Sequence, residues 1–215
     1  MAIFASSITA WVNKFRQVFF RESLTNLLSD LEAALVADKA LTKGVYLSSY
    51  DNVAAANAAG VHADITLTAS TQNITTGITN PAISRTVSIK GTKAGGSLTG
   101  NVVVTGTGMD DEVVTDTLAL NDDNVVQGDQ VFKTITNIAV PVRVTADDKV
   151  SVGFGLGIGI DAFLPANTVI LVTCDGAYEA TRPTVAYSAT VKASNYFAAN
   201  TTPNGSYDYR VYYIL

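Results

Sequence analysis

The chain has 215 residues, of which 47% are hydrophobic and 15% charged, and its net charge is −5. That is ample apolar material for a core, which excludes disorder, and too little basic charge for a direct reader of DNA or RNA. One cysteine, Cys174, excludes an intrachain disulfide framework, and there is no apolar run of about 18 residues to span a membrane as a helix.

Residues 1–44 read as an amphipathic helical arm. Ile8, Trp11, Val12, Phe15, Val18 and Phe19 recur at three- and four-residue steps, and Leu24, Leu27, Leu28, Leu31 and Leu35 continue the stripe. Ser7 is placed to cap a first helix, Ser23 to cap a second after a break near Arg21, and Gly44 to stop it. No positive charge precedes the short apolar stretch at the start, so the arm does not read as a secretory signal, and folding in a cytoplasm is expected. Its polar face is not basic enough for a membrane surface. So apolar an arm needs a protein surface, either its own body or another subunit, and Trp11, Phe15, Phe19 and Phe20 are the candidate anchor.

Residues 45–80 read as a linker with a short strand. The small, polar run from Tyr50 to Asp64, which holds the lone His62, predicts a loop or short helix. Ile65 and Leu67 alternate with Thr66 and Thr68, which predicts a half-buried strand.

Residues 81–215 read as β throughout. Strands are expected at Arg85–Lys90, Gly100–Thr107, Glu112–Leu120, Val131–Val140, Lys149–Ile158, Thr168–Cys174, Thr184–Val191 and Tyr207–Leu215. Turns are expected at Gly95-Gly96, Asp110-Asp111, Asp122-Asp123-Asn124, Asp147-Asp148 and Asn204-Gly205, the last being the strongest hairpin signal. Pro141 belongs at a strand end or edge, and Cys174 reads as a small buried residue. With no helical pattern between the strands, the expected fold is mainly β: an antiparallel β-sandwich or jelly-roll-like body with an N-terminal α-helical arm.

Little in the chain can carry out chemistry. Gly153, Gly155, Gly157 and Gly159 fail the dinucleotide fingerprint, because its third glycine would fall on Ile158 or Ile160 and no βαβ context follows. They read instead as a bare strand face open to a close backbone or subunit, with Phe154, Leu156, Ile158 and Ile160 on the other face. The acidic pairs at Asp110, Asp122 and Asp147 match no calcium loop and read as solvated turn residues. With one histidine and no G-x-S-x-G, a hydrolase triad has no support, and no carboxylate pair is singled out for glycoside hydrolysis. The expectation is a non-enzyme with no catalytic, metal or cofactor residues. In the final strand Tyr207, Tyr209, Val211, Tyr213 and Leu215 share one face, and Asp208, Arg210, Tyr212 and Ile214 the other. Tyrosine is favoured at interfaces, so Tyr207, Tyr209 and Tyr213 are the second candidate contact.

The segment GNVVVTGTGMDDEVVTDTLALNDDNVVQGDQVFKTITNIAVP combines a G-x-V-x-V-T-G-T strand, an acidic turn, E-x-x-T-x-x-x-A-L-N and VFKT-I-T-x-I. It resembles a segment of tailed-bacteriophage virion structural proteins, and DKVSVGFGLG and the closing VYYIL are similar to the stretches downstream of it in such proteins. The resemblance covers about residues 83–215. It implies a virion location and a role by contact area: capsid decoration, cement or head-fibre subunits, frequently trimeric, that bind the major capsid protein or other virion proteins. A tail, baseplate or connector component is the alternative. A third reading is a carbohydrate-binding host-recognition module using Tyr196-Phe197 or Tyr212 as aromatic platforms. None of the three calls for nucleic acid, a membrane or a cofactor.

Overall fold

The computed structural model describes residues 44–215, so the expected helical arm, with Trp11, Phe15, Phe19 and Phe20, lies outside the described residues. In chain order the strands are β1 (Val45–Tyr50), β2 (Asn57–Thr66), β3 (Gln72–Ile74), β4 (Arg85–Thr92), β5 (Asn101–Thr107), β6 (Val113–Ala119) and β7 (Val125–Phe132). They continue with β8 (Thr134–Val140), β9 (Lys149–Gly159), β10 (Val169–Cys174), β11 (Ala177–Tyr178), β12 (Thr184–Ala186), β13 (Tyr196–Ala198) and β14 (Tyr209–Ile214). The described residues are thus mainly β, with one 3-10 turn at Lys192–Ser194.

All strand pairings are antiparallel. Sheet A has the order β1-β14-β10-β11, sheet B the order β12-β13-β9-β4-β7 with β2 also on β9, and sheet C the order β3-β8-β5-β6. Two apolar clusters follow from this. The first draws Val61, Val87 and Val152 from sheet B and Val102, Val104, Leu118 and Ile138 from sheet C. The second draws Ile158 and Phe197 from sheet B and Val172, Tyr209, Val211 and Tyr213 from sheet A. The period-2 pattern explains which residues enter: β6 alternates exposed and buried along its whole length, as does β14 with half-buried in place of exposed.

β9 belongs to both clusters. Val150 and Val152 sit in the first, Ile158 and Ile160 in the second, and Leu156 between them is exposed. Phe154, Leu156, Ile158 and Ile160, expected on one face, are thus not buried together: Phe154 packs on the first cluster, and Ile158 and Ile160 enter the second. The reason is a bulge: Arg85 pairs with Ile158 but Val87 with Phe154, so β9 carries two extra residues against β4. The groups left over are met by side chains. Arg85 donates to the Gly155 carbonyl through Nε (3.0 Å) and Nη2, and to the Ala54 carbonyl through Nη1 (2.8 Å). The Gly157 N–H donates to Thr86 Oγ1 (3.0 Å). The bare glycine face is approached closely, as expected, and the approaching backbone is this chain's own: a Cβ on Gly153 would overlap the Asn57 carbonyl oxygen in β2.

Other expectations are corrected. Residues 45–80 are not merely a linker, because β1 borders β14, β2 borders β9 and β3 borders β8. Ile65 and Leu67 are buried as the alternation requires, but the strand begins earlier, at Asn57, through residues too small and polar to announce it. The expected strand Val131–Val140 divides at Lys133, where the chain passes from sheet B to sheet C and the Lys133 N–H donates to the Thr107 carbonyl. β7 starts six residues sooner than expected, at Val125, and runs through a second bulge at Gly128-Asp129. There the Asp129 and Gln130 N–H groups donate to Asp116 Oδ2 (3.1 and 3.3 Å), a carboxylate on the inward face of β6 whose pKa burial pushes up. The strand expected to Val191 stops at Ala186, because the chain then wraps the buried Asn195. Its Oδ1 accepts from the Ser188 N–H (2.7 Å), and its Nδ2 donates to the Ser188 and Val191 carbonyls.

Asn204-Gly205 is a turn but not a two-residue hairpin: it lies between β13 and β14, which are in different sheets. The two-residue hairpin is Asp175-Gly176, with φ of 49° and 75°, joining Cys174 to its partner Ala177. Pro141 directly follows β8, and Cys174 is buried in the second cluster.

Candidate docking surfaces

Two of the carboxylates expected to be solvated turn residues, Asp122 and Asp148, hold loops together, as does Glu179. Asp148 is fully buried. It accepts from the Ala94 N–H through Oδ1 (2.9 Å) and from the Val144 and Thr145 N–H groups through Oδ2 (3.1 and 2.6 Å). Asp122 accepts from the Leu98 N–H (2.7 Å), and buried Glu179 from those of Asn200 and Thr201. Each oxygen replaces a ladder partner that a loop lacks. Among the described residues no group of three or more His, Cys, Asp or Glu is placed to hold a metal ion.

The hydrogen bonds from Ala94 and Thr145 hold the Asp148 pKa below the usual carboxylate range. A depressed folded pKa gives stability that is complete above the unfolded value of about 4 and lost as pH falls through the folded value. Asp148→Asn, whose amide would face these donors, is expected to cost about 2–4 kcal/mol at pH 7. In urea unfolding the gap between it and the natural chain should narrow at pH 3; an equal gap at both pH values counts against the clamp.

The tyrosine contact expected on the last strand is corrected by burial. Tyr209 and Tyr213 are 0% and 5% exposed, inside the second cluster, and half-buried Tyr207 packs on the same cluster. The Tyr209 hydroxyl donates to the Thr201 carbonyl (2.6 Å), and that of Tyr213 lies 3.2 Å from Ser48 Oγ. This side of β14 has its apolar partners within the chain. Phe197 is likewise buried, which removes half of the Tyr196-Phe197 platform.

The opposite side of β14 forms the outer face of sheet A. Tyr212 pairs with Leu47 on one side and Leu171 on the other, and Ile214 pairs with Val45. Paired residues share a face, so these five lie together. Leu47 is 46% exposed and the other four are half-buried. Sequence reasoning singles out the inward side of β14, because both sides are apolar and only the register with β1 and β10 distinguishes them.

A second surface is a groove of about 500 Å³ between Val113, Val114 and Thr115 on β6 and the segment Thr190–Ala193, with Phe163 beside it. Lys192 Nζ lies 2.6 Å from Asp110 and 3.0 Å from Asp161, and 5.2 Å from the Phe163 ring centre. The hydrogen bond to Asp110 raises the Lys192 pKa, so the ammonium is retained and acts as a cross-brace. Periodicity places Val113 in a strand but gives no sign of the groove, whose walls lie about 80 residues apart in sequence.

Among the described residues no helix is long and apolar enough to cross a membrane. No protein-family model, no curated protein and no solved structure matches the chain.

Proposed function

We propose that this chain is a structural subunit of a tailed-bacteriophage particle: a capsid decoration, cement or head-fibre protein that binds the assembled head as a homo-oligomer, with a trimer as the symmetric form. The observation that carries the reading is the resemblance of the segment Gly100–Pro141, supported by what that segment builds. It holds β5, β6 and β8, the main strands of sheet C, together with β7 of sheet B, and includes Asp116, which ties sheet C to sheet B. In this reading the body is a β-sandwich with jelly-roll-like stacking of sheet B between two partners. Its carboxylates are spent on loop rigidity, as suits a part that works through contact area.

The anchor in this reading is Trp11, Phe15, Phe19 and Phe20, seated on the major capsid protein. A subunit that binds only the assembled shell stabilises it by mass action, and symmetry-repeated contacts add avidity. Replacing these four aromatics by serine is expected to abolish association with purified particles while the circular dichroism of the body is kept. A variant that still joins particles normally overturns the anchor. Gel densitometry of particles separates head decoration, at high copy number, from a tail or baseplate part, at low copy number, and the latter result overturns the head assignment.

A further inference from the structure

We propose that the leucine stripe of residues 24–35 docks on the outer face of sheet A in the same chain, leaving the aromatic residues upstream of it to project toward a partner. The inference extends the anchor reading above, but it rests on different observations.

The receiving surface is the set Val45, Leu47, Leu171, Tyr212 and Ile214, brought to one face by the register of β1, β14 and β10. Apolar side chains grouped on an outward sheet face favour a cover, since a sheet in contact with its core on one side needs only polar residues on the other. The occupant is named by connectivity. β1 is an outer strand of this sheet, and the chain enters it directly from residues 1–44.

Dimensions agree. From Leu35 to Val45 the chain can reach about 30 Å at 3.3 Å per residue, while four strands span about 14 Å from edge to edge. The stripe can therefore reach any part of the face. At helical periodicity the spacing of Leu24, Leu27, Leu28, Leu31 and Leu35 would give a stripe about 17 Å long, close to the 17–20 Å length of a six-residue strand. Attachment also decides between this segment and a second copy. A short tether holds the stripe at a millimolar effective concentration, well above that of free protein at micromolar levels.

Charge supports the division of the arm. Arg21 and Glu22 interrupt the apolar pattern between the aromatic and leucine sections, and Ser23 comes next as the cap of the second. This pattern is the sequence basis for treating the leucine section apart from Trp11, Phe15, Phe19 and Phe20.

Hydrogen–deuterium exchange of the full-length protein, followed by mass spectrometry without any particle, tests the proposal. Peptides covering residues 24–35 should exchange at least about tenfold more slowly than in the double variant Leu47→Asp/Tyr212→Asp. Leu27→Asp/Leu31→Asp, which leaves the body untouched, should release the same peptides, with β4 and β9 protected throughout. Protection should also survive about a hundredfold dilution, as an intramolecular contact requires. Coil-like exchange of 24–35 in the unaltered chain, or protection that persists in both variants, overturns the proposal. Protection lost on dilution overturns it in favour of a second copy. Because no particle is present, these outcomes are independent of whether the aromatic residues bind one.

Discussion

Replacing Gly153 by alanine is expected to cost the body about 3–5 kcal/mol, enough to shift a marginal fold toward the unfolded chain. The added methyl would overlap the Asn57 carbonyl oxygen and crowd the Ala58 backbone. Backbone cannot swing aside as a long side chain can. β2 would have to leave β9, taking Val61 and Ile65 out of the first cluster. Gly176→Ala is the control. Gly176 has φ of +75°, and a methyl added there would meet nothing within 4 Å, so its cost is confined to backbone strain of about 1–2 kcal/mol. Urea midpoints should separate the two variants clearly. Equal losses would mean that close approach of β2 is not what requires Gly153.

The second large effect is expected at Arg85. Arg85→Met should lose about 3 kcal/mol, and Arg85→Lys about half of that. The guanidinium is 3% exposed, and its hydrogen-bond partners among the described residues are the Gly155 and Ala54 carbonyls. It also lies 5.8 Å from the centre of the Phe154 ring. Burial lowers its pKa to about 10, so the charge is kept at neutral pH and is stabilised by backbone dipoles. Methionine fills the space but leaves both carbonyls without a donor in the interior, where each costs more than the net value of one hydrogen bond. Lysine keeps the charge but cannot fork between two acceptors. Denaturant titration of the three proteins is the measurement. A methionine variant as stable as the natural chain would show that the bulge does not depend on this side chain.

These two positions also show what can be read in the sequence. The β character of residues 81–215, the bounds of β4, β5, β6, β9 and β10 within one or two residues, and the place of Pro141 follow from alternation and turn chemistry. The close approach at Gly153 is legible too, since a strand face without side chains invites a neighbour. Its neighbour is not, because β2 lies about 95 residues upstream and its Ala-Asn-Gly composition imitates a loop. The bulge at Gly155 is hidden for the same reason as the one at Gly128: a bulge is set by the partner strand's register, and a single strand's periodicity does not contain it. Asp148 reads as a surface group because carboxylates usually are, and nothing in the sequence marks Asp116 or Glu179 as inward-facing. The N–H groups that draw Asp116 and Glu179 inward belong to another strand's bulge or to a distant segment, and Asp148 adds the distant Ala94 to its local donors Val144 and Thr145. The tyrosine side of β14 is legible as a set but reads as outward-facing, where the structure turns it inward.

β9 also decides how such a body holds together. One continuous strand serves as a common wall for both apolar compartments, so neither half has a complete set of walls without it. Loosening one compartment withdraws support from the other, and loss of native packing should spread across the whole body as a single cooperative event. A part joined in this way has no weaker half to give way first under load.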